Sequence, residues 1–456
     1  MKRSLAATLA MSFAATVILS GSASAHARDG ESPSVRAVRD LYGTKAPYAP
    51  QEPAGRYQRV PKGFTAVFTE NVARHGSRAM TDSGDGDAVL AVLRRAQQQN
   101  AMTGLGSKLA PQVRALLSAA AEIGYGNLSG RGVQEQRGIA RRTEQRLPDL
   151  FHAIAAKGEP IEIETSGVTR AVDSAHAFTG ALAAADPEVA GLIKDPVTDK
   201  DLLYFHKQPQ NADYQAYVAK DPQLAAVLQR IDGKPRTERT AQHVVSRLFR
   251  ADFAATMSPG DEISFARSLH QLFSAAPDLA VEAPTVDLRP FLTPEDARWF
   301  AYLDDAEEFY EKGPAFAGRT ITYKMAGVLL DDLLAQAEAK AGGAGGSGAV
   351  FRFTHAEEIE PLAALMGLPG STSPARPDEP YAYGNNPWRG ARVAPMAANV
   401  QWDVYASRPK EGKPAKYLVR MLYNEKETAF KAACSPAGKG SYFYELAELR
   451  SCLKSS

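Results

Sequence analysis

Cysteine is almost missing from this chain of 456 residues, with only Cys434 and Cys452, both near the C-terminus. No second Cys or His pair lies at ligand spacing, which argues against a zinc site. A surplus of charge is missing too: 53 basic residues face 52 acidic ones, for a formal net charge of +1. That near-neutral balance argues against a nucleic-acid or anionic-membrane partner, so any recognition of an anion must rest on local positive charge. Internal repeats are absent, and after the first twenty residues no segment is apolar enough to span a bilayer.

What is present begins with an export signal. Lys2 and Arg3 precede an apolar or small run from Leu5 to Leu19, and Ala23-Ser24-Ala25 offers a small-residue cleavage site. The run falls short of the roughly 20 residues a spanning helix needs. It ends in small residues rather than charge, no Cys follows to take a lipid, and no Arg-Arg pair marks a twin-arginine route. Residues 1–25 are therefore read as a cleaved signal peptide, with the mature chain starting near His26 and destined for a secreted or extracytoplasmic location. Loss of Lys2 and Arg3 with the signal takes the formal charge from +1 to −1. In an exported chain, Cys434 and Cys452 suggest one disulfide closing a short loop.

The remaining length exceeds the ~100–200 residues of an ordinary domain, so one large domain or a domain with an insertion is expected. Residues 26–57 lack periodicity and read as an extended lead-in. Phe64–Thr69 alternates as a strand pointing at Arg74. The acidic run Asp82-Ser83-Gly84-Asp85-Gly86-Asp87 does not fit calcium-loop spacing and reads as a turn into a helix. Gly130–Phe151 reads as one helix whose Arg137, Arg141, Arg142 and Arg146 form a solvated face. A strand follows at Ile161–Thr165, then a turn at Ser166-Gly167 leading to Arg170, and an apolar helix beginning with Ala175. Residues 186–341 read as a mostly helical cap insertion, with amphipathic stretches at Ala241–Phe253 and Thr293–Glu311. Its last helix groups Ile321, Met325, Val328, Leu329 and Leu333 on one apolar face. Gly342–Gly348 is a flexible connection to a buried-type strand, Ala349–Phe353, and Asn399–Tyr405 and Tyr417–Tyr423 suit pairing near the sheet edge. The pattern is an α/β core, residues 58–185 and 342–456, interrupted by the cap. His75, Arg170 and His355 each sit just after a strand, and ligands of open α/β sheets bind beyond the carboxyl ends of strands.

Metal-independent hydrolysis of a phosphate monoester requires fixed cations on the non-bridging oxygens, an in-line nucleophile and an acid for the leaving oxygen. Arg74, Arg78 and Arg170 are candidate cations, with His355 adding donors. His75 is the candidate nucleophile, kept neutral by its arginines, provided one ring nitrogen finds an acceptor. Glu357 is the candidate acid and, after phosphate transfer, the base that activates water. It shares a face with His355 if the segment is extended. Gly76 would let the backbone pass close to a bound phosphate. Each part has an ordinary alternative: a basic turn, a surface arginine at a helix start, a loop-to-helix entry. His152, His176, His206, His243 and His270 have no spacing that demands a role and are read as structural or surface residues.

Arg74-His75-Gly76-Ser77-Arg78 resembles the signature of the histidine acid phosphatases. The segment from Thr165 to Ala175 resembles the part carrying that family's third phosphate-binding arginine. His355-Ala356-Glu357, where most members have His-Asp, resembles the multiple inositol polyphosphate phosphatase branch, as does Tyr417-Leu418-Val419-Arg420 running into Asn424-Glu425-Lys426-Glu427. The likeness runs from about Arg59 to Phe430. It implies a phosphoglycerate-mutase-like core with a mainly parallel sheet flanked by helices, plus a helical cap, and no metal or other cofactor. It also implies a phosphohistidine at His75, phosphate held by Arg74, Arg78, Arg170 and His355, Glu357 as proton donor, and phytate or a related inositol phosphate as substrate. Many members have Pro two residues after the second arginine, where this chain has Met80. The alternatives are a less selective acid or sugar phosphatase, a mutase, and a non-enzymatic phosphate-ligand binding protein. Export counts against the mutase, and the presence of both His75 and Glu357 counts against the binding protein.

Overall fold

A computed structural model describes residues 33–343, 346–409 and 414–454. The expected signal peptide and the expected start near His26 lie outside these residues, as does part of the glycine-rich connection. The strands are β1 (Phe64–Arg74), β2 (Ile161–Thr165), β3 (Val197–Thr198), β4 (Ala349–Thr354), β5 (Asn399–Ser407), β6 (Tyr417–Tyr423), β7 (Lys426–Thr428) and β8 (Phe443–Glu445). They form one sheet in the order β3-β2-β4-β1-β5-β6-β7, with β8 also paired to β6. The half containing β3, β2, β4 and β1 is parallel, and β5 onward is antiparallel. Alternation fades along β1: from Phe68 onward every residue is buried, as expected for a central strand covered on both faces.

Helix α1 (Pro33–Arg39) precedes the sheet. Between β1 and β2 come α2 (Gly84–Gln98), α3 (Leu109–Ile123), α4 (Gly130–Arg146) and α5 (Pro148–Lys157), and α6 (Thr169–Ala185) follows β2. The next stretch holds α7 (Lys200–Leu203), α8 (Ala212–Lys220), α9 (Pro222–Asp232), α10 (Pro235–Leu248) and α11 (Ala251–Ala254). It continues with α12 (Pro259–Ala275), α13 (Pro294–Glu311) and α14 (Gly327–Ala341). After β4 come α15 (Ala356–Leu365), α16 (Gly390–Val393) and, last, α17 (Leu446–Lys454). Helix α2 packs on α12, so the helical layer over the sheet also draws on residues before β2.

Side chains of β4 alternate between two cores. Val350 joins the larger one, with α2, α3 and the helices after β3, while Ala349, Phe351 and Phe353 join the smaller one with α4, α5 and α6. Phe178 of α6 sits 4.7 and 5.5 Å from the rings of Phe351 and Phe353. Truncating such a ring to Ala typically costs about 3–5 kcal/mol. Arg352, fully buried on the Val350 side, reaches Glu70 of β1 at 3.0 Å, Glu164 of β2 at 3.1 Å and Asp332 of α14 at 2.5 Å.

Several local expectations are corrected. The lead-in is helical at Pro33–Arg39 and in the 3₁₀ segment Asp40–Lys45, rather than extended throughout. The helix expected over Gly130–Phe151 breaks at Leu147, because Pro148 starts a second helix at a position where its missing N–H costs nothing. Arg146 is not solvated: its side chain is 6% exposed and pairs with the fully buried Asp403, while Arg142 forks onto Glu425. Helix α6 begins at Thr169, not Ala175. Helix α14 begins only at Gly327, so Ile321 and Met325 lie ahead of it, and Val328 is 47% exposed. Two expectations hold: the acidic run starts as a turn, with the Asp82 carboxylate accepting from the Gly84 N–H at 2.8 Å, and enters α2 at Gly84. Cys434 and Cys452 form a disulfide.

Candidate active site

Parallel pairing aligns the ends of β1, β2 and β4, with Arg74 in register with Thr354 and Thr165 with Phe353. The three motifs therefore leave the same edge of the sheet. The backbone of His75 is held on both sides: its N–H donates to the Thr354 carbonyl at 2.8 Å, and its carbonyl accepts from Ala397 at 2.9 Å. Gly76 passes against α4, where a Cβ would lie 2.5 Å from the Gly132 carbonyl oxygen, and a Cβ on Gly132 would lie 2.2 Å from that of Ser77. The absence of a Cβ at Gly76 thus serves a backbone-to-backbone contact with α4.

The imidazole of His75 is buried, and its Nδ1 lies 2.9 Å from the Gly76 carbonyl oxygen. A carbonyl only accepts, so Nδ1 carries the hydrogen and Nε2 keeps a lone pair. Burial, then Arg74, His355, Arg170 and Arg78, hold the ring's pKa well below the ordinary histidine value. The ring is therefore neutral, with the Nε2 lone pair unprotonated.

Arg74 is aimed by two backbone carbonyls, Thr44 and Ala394, each 2.6 Å from Nη1. Thr44 belongs to the 3₁₀ segment of the lead-in, so that segment helps build the site. Arg78 donates to its neighbour's carbonyl at 2.7 Å. Burial and the nearby Arg170 and Arg74 push its pKa down to about 10, a measure of how much positive charge is gathered here. Met80, at the family's proline position, fits without strain: its carbonyl accepts from Gly126 at 2.8 Å, and Ala79 donates to Asn127 at 3.0 Å.

Arg170 lies in the first turn of α6 and donates from Nη2 to Nδ1 of His355 at 3.2 Å. The other ring nitrogen, Nε2–H, then donates to Ser166 Oγ at 2.8 Å. Burial and Arg170 depress the pKa of His355 to about 3. Its ring centroid is 5.3 Å from that of His75. Glu357 reaches this region by a different route from the one expected, since α15 starts at Ala356 and the segment after His355 is helical. The carboxylate sits in the first turn, where the helix dipole favours negative charge.

Sequence reasoning missed Lys312, at the end of α13, whose Nζ is 3.6 Å from Glu357 Oε1. It also missed a buried trio behind His75. Ser77 Oγ lies 2.9 Å from Glu135 and 2.8 Å from Asp278, and its N–H donates to Glu135 at 2.7 Å. One hydroxyl has one hydrogen, so one of the two carboxyls carries a proton, in keeping with burial raising the pKa of both. Neither had a local signal, because both pairings join residues tens to hundreds of positions apart. His206 is buried, 2.6 Å from Glu358, with its ring 4.6 Å from that of Tyr204, which in turn flanks His355.

A parallel sheet edge presenting a neutral histidine among three arginines is the arrangement of a histidine phosphatase. The family model for the histidine phosphatase superfamily (branch 2) matches residues 68–424, and the chain belongs to that superfamily. It is similar to the Bifidobacterium longum multiple inositol polyphosphate phosphatase solved in complex with inositol hexasulfate, at 34% identity and a TM-score of 0.83, covering 91% of this chain and 97% of that one. The Gallus gallus multiple inositol polyphosphate phosphatase 1 is 23% identical over 385 residues, 83% of this chain and 80% of that one. The phytase from D. castellii, at 16% identity and a TM-score of 0.66 over 92% of this chain and 85% of that one, shares the fold.

Proposed function

We propose that this protein is an exported phosphomonoesterase that removes phosphates from inositol polyphosphates such as phytate, through a phosphohistidine at His75. The observation that carries the reading is the His75 Nδ1–H bond to Gly76, which leaves Nε2 free amid Arg74, Arg78 and Arg170. Support for the substrate class comes from the likeness to the B. longum enzyme, which binds inositol hexasulfate. Support for export comes from the Cys434–Cys452 disulfide, which suits an oxidising compartment. Among the described residues no helix is long and apolar enough to cross a membrane. Residues 186–341 act as the cap that shapes the substrate pocket.

In the first step the Nε2 lone pair attacks phosphorus as the bond to the leaving oxygen breaks, and Glu357 gives that oxygen its proton. The arginines neutralise the non-bridging oxygens, and His355 joins them as a donor once phosphate displaces Arg170 from its Nδ1 and the ring takes up a proton there. In the second step Glu357, now a carboxylate, takes a proton from water whose oxygen attacks phosphorus. The N–P bond breaks, His75 recovers its lone pair and inorganic phosphate leaves.

Purified protein incubated with phytate is expected to release inorganic phosphate, and His75→Ala to abolish release. Activity that survives His75→Ala in the presence of EDTA would overturn the mechanism. Equal or better rates on p-nitrophenyl phosphate and glucose phosphates would favour a broad acid phosphatase instead.

A further inference from the structure

Glu357 poses a problem for any donor role. To give a proton it must be a carboxylic acid, yet its surroundings favour the carboxylate. The Nζ of Lys312 stands 3.6 Å from Oε1, and that lysine is itself fixed, 2.6 Å from Glu308 one helical turn back. Its backbone N–H donates to the Glu308 carbonyl at the end of α13, where the helix dipole also favours a cation. Its side chain is 16% exposed and that of Glu357 31%, so solvent screens the pair only in part.

The other groups around Glu357 do not reverse this. On its own helix, Glu360 is fully buried, neither of its oxygens has a hydrogen-bond partner among the described residues, and burial raises its pKa well above the ordinary value. Burial and the neighbouring Glu308 both favour its acid form. On α13, burial raises Glu307, and Glu311 is pushed up to about 7. Arg78 of the nucleophile loop and Arg170 of α6 contribute positive charge from the phosphate side. His355 and His206 flank the carboxylate, Glu358 beside it is buried against His206 and Thr354, and Tyr204 and Tyr214 are neutral phenols. Burial favours the acid form of Glu357, and Lys312 leads the forces that outweigh it.

We propose that Lys312 is a positioning residue for the proton donor: its ammonium keeps Glu357 a carboxylate until the negative charge of an arriving polyphosphate cancels that hold, so that substrate binding and proton uptake at Glu357 are one event. The proton comes from solvent, rests on Glu357, and passes to the leaving oxygen when the O–P bond breaks. A substrate carrying several phosphates is therefore better able to arm the donor than one carrying a single phosphate. This inference rests on Glu357 being the donor.

Calorimetric titration with inositol hexasulfate, whose sulfates do not titrate, in two buffers of different ionisation enthalpy measures protons taken up on binding. Near pH 6, wild type is expected to take up about one proton more than Glu357→Gln. Lys312→Met should lose most of that difference and Lys312→Arg should keep it. In Lys312→Met the alkaline limb of kcat/KM for phytate should also move to higher pH, because the free donor is then already protonated. Uptake in Lys312→Met equal to wild type overturns the proposal. So does equal uptake in wild type and Glu357→Gln, which needs no Lys312 variant to fold. Failure to hydrolyse phytate with the uptake pattern intact would instead overturn the functional reading.

Discussion

Arg170 Nη2 donates to Nδ1 of His355 at 3.2 Å, so two groups expected to share one phosphate are bonded to each other. Each fixes the other's direction, and burial together with the arginine keeps the imidazole neutral. Replacing Arg170 with Ala should let the pKa of His355 rise from about 3 towards 6.5, read by NMR of the ring protons. The same change should lower kcat/KM about 10²–10³-fold, the usual loss for one oriented donor to developing charge.

Gly76→Ala would push a methyl carbon to 2.5 Å from the Gly132 carbonyl oxygen, with backbone on both sides of the contact. Either α4 or the nucleophile loop must move. Overpacking of this kind costs about 1–3 kcal/mol, visible as a lower denaturation midpoint. The loss of phytate hydrolysis should exceed what the loss of stability explains, because the displaced residue adjoins His75.

Glu70 carries a pH signature. Burial, only partly offset by Arg352, raises its pKa from 4.5 to about 8. The folded state thus binds a proton that the unfolded state releases, and the associated stability is full below pH 4.5 and declines as pH rises through about 8. Denaturant midpoints of wild type should fall across this window. Glu70→Gln, which cannot ionise, should show a shallower fall.

Reduction of the Cys434–Cys452 bridge opens a loop of 18 residues that contains no proposed site residue. The stability loss should be about 3 kcal/mol in the chain-entropy model. Phytate hydrolysis at 25 °C should persist, and a Cys434→Ser/Cys452→Ser variant should behave as the reduced protein does.

The placement of His75, Arg170 and His355 was legible because strand, turn and polar residue are neighbours in the sequence, and parallel pairing of β1, β2 and β4 does the rest. The entry to α15 was harder to read, since an extended or a helical Ala356 is decided by packing rather than by His-Ala-Glu itself. Arg146 looked solvated because its partner, Asp403, is 257 positions away. Lys312 was invisible for the same reason, lying 45 positions before a carboxylate on another helix. The lead-in is poor in periodicity, yet its Thr44 carbonyl orients Arg74.

The alternation along β4 has one more effect. A strand whose odd-numbered side chains anchor one core and whose Val350 joins the other is a wall shared by two rooms. Neither room can be emptied while the other stays furnished, because losing the wall exposes both. Heating should therefore melt the layers of this molecule together, in a single calorimetric peak.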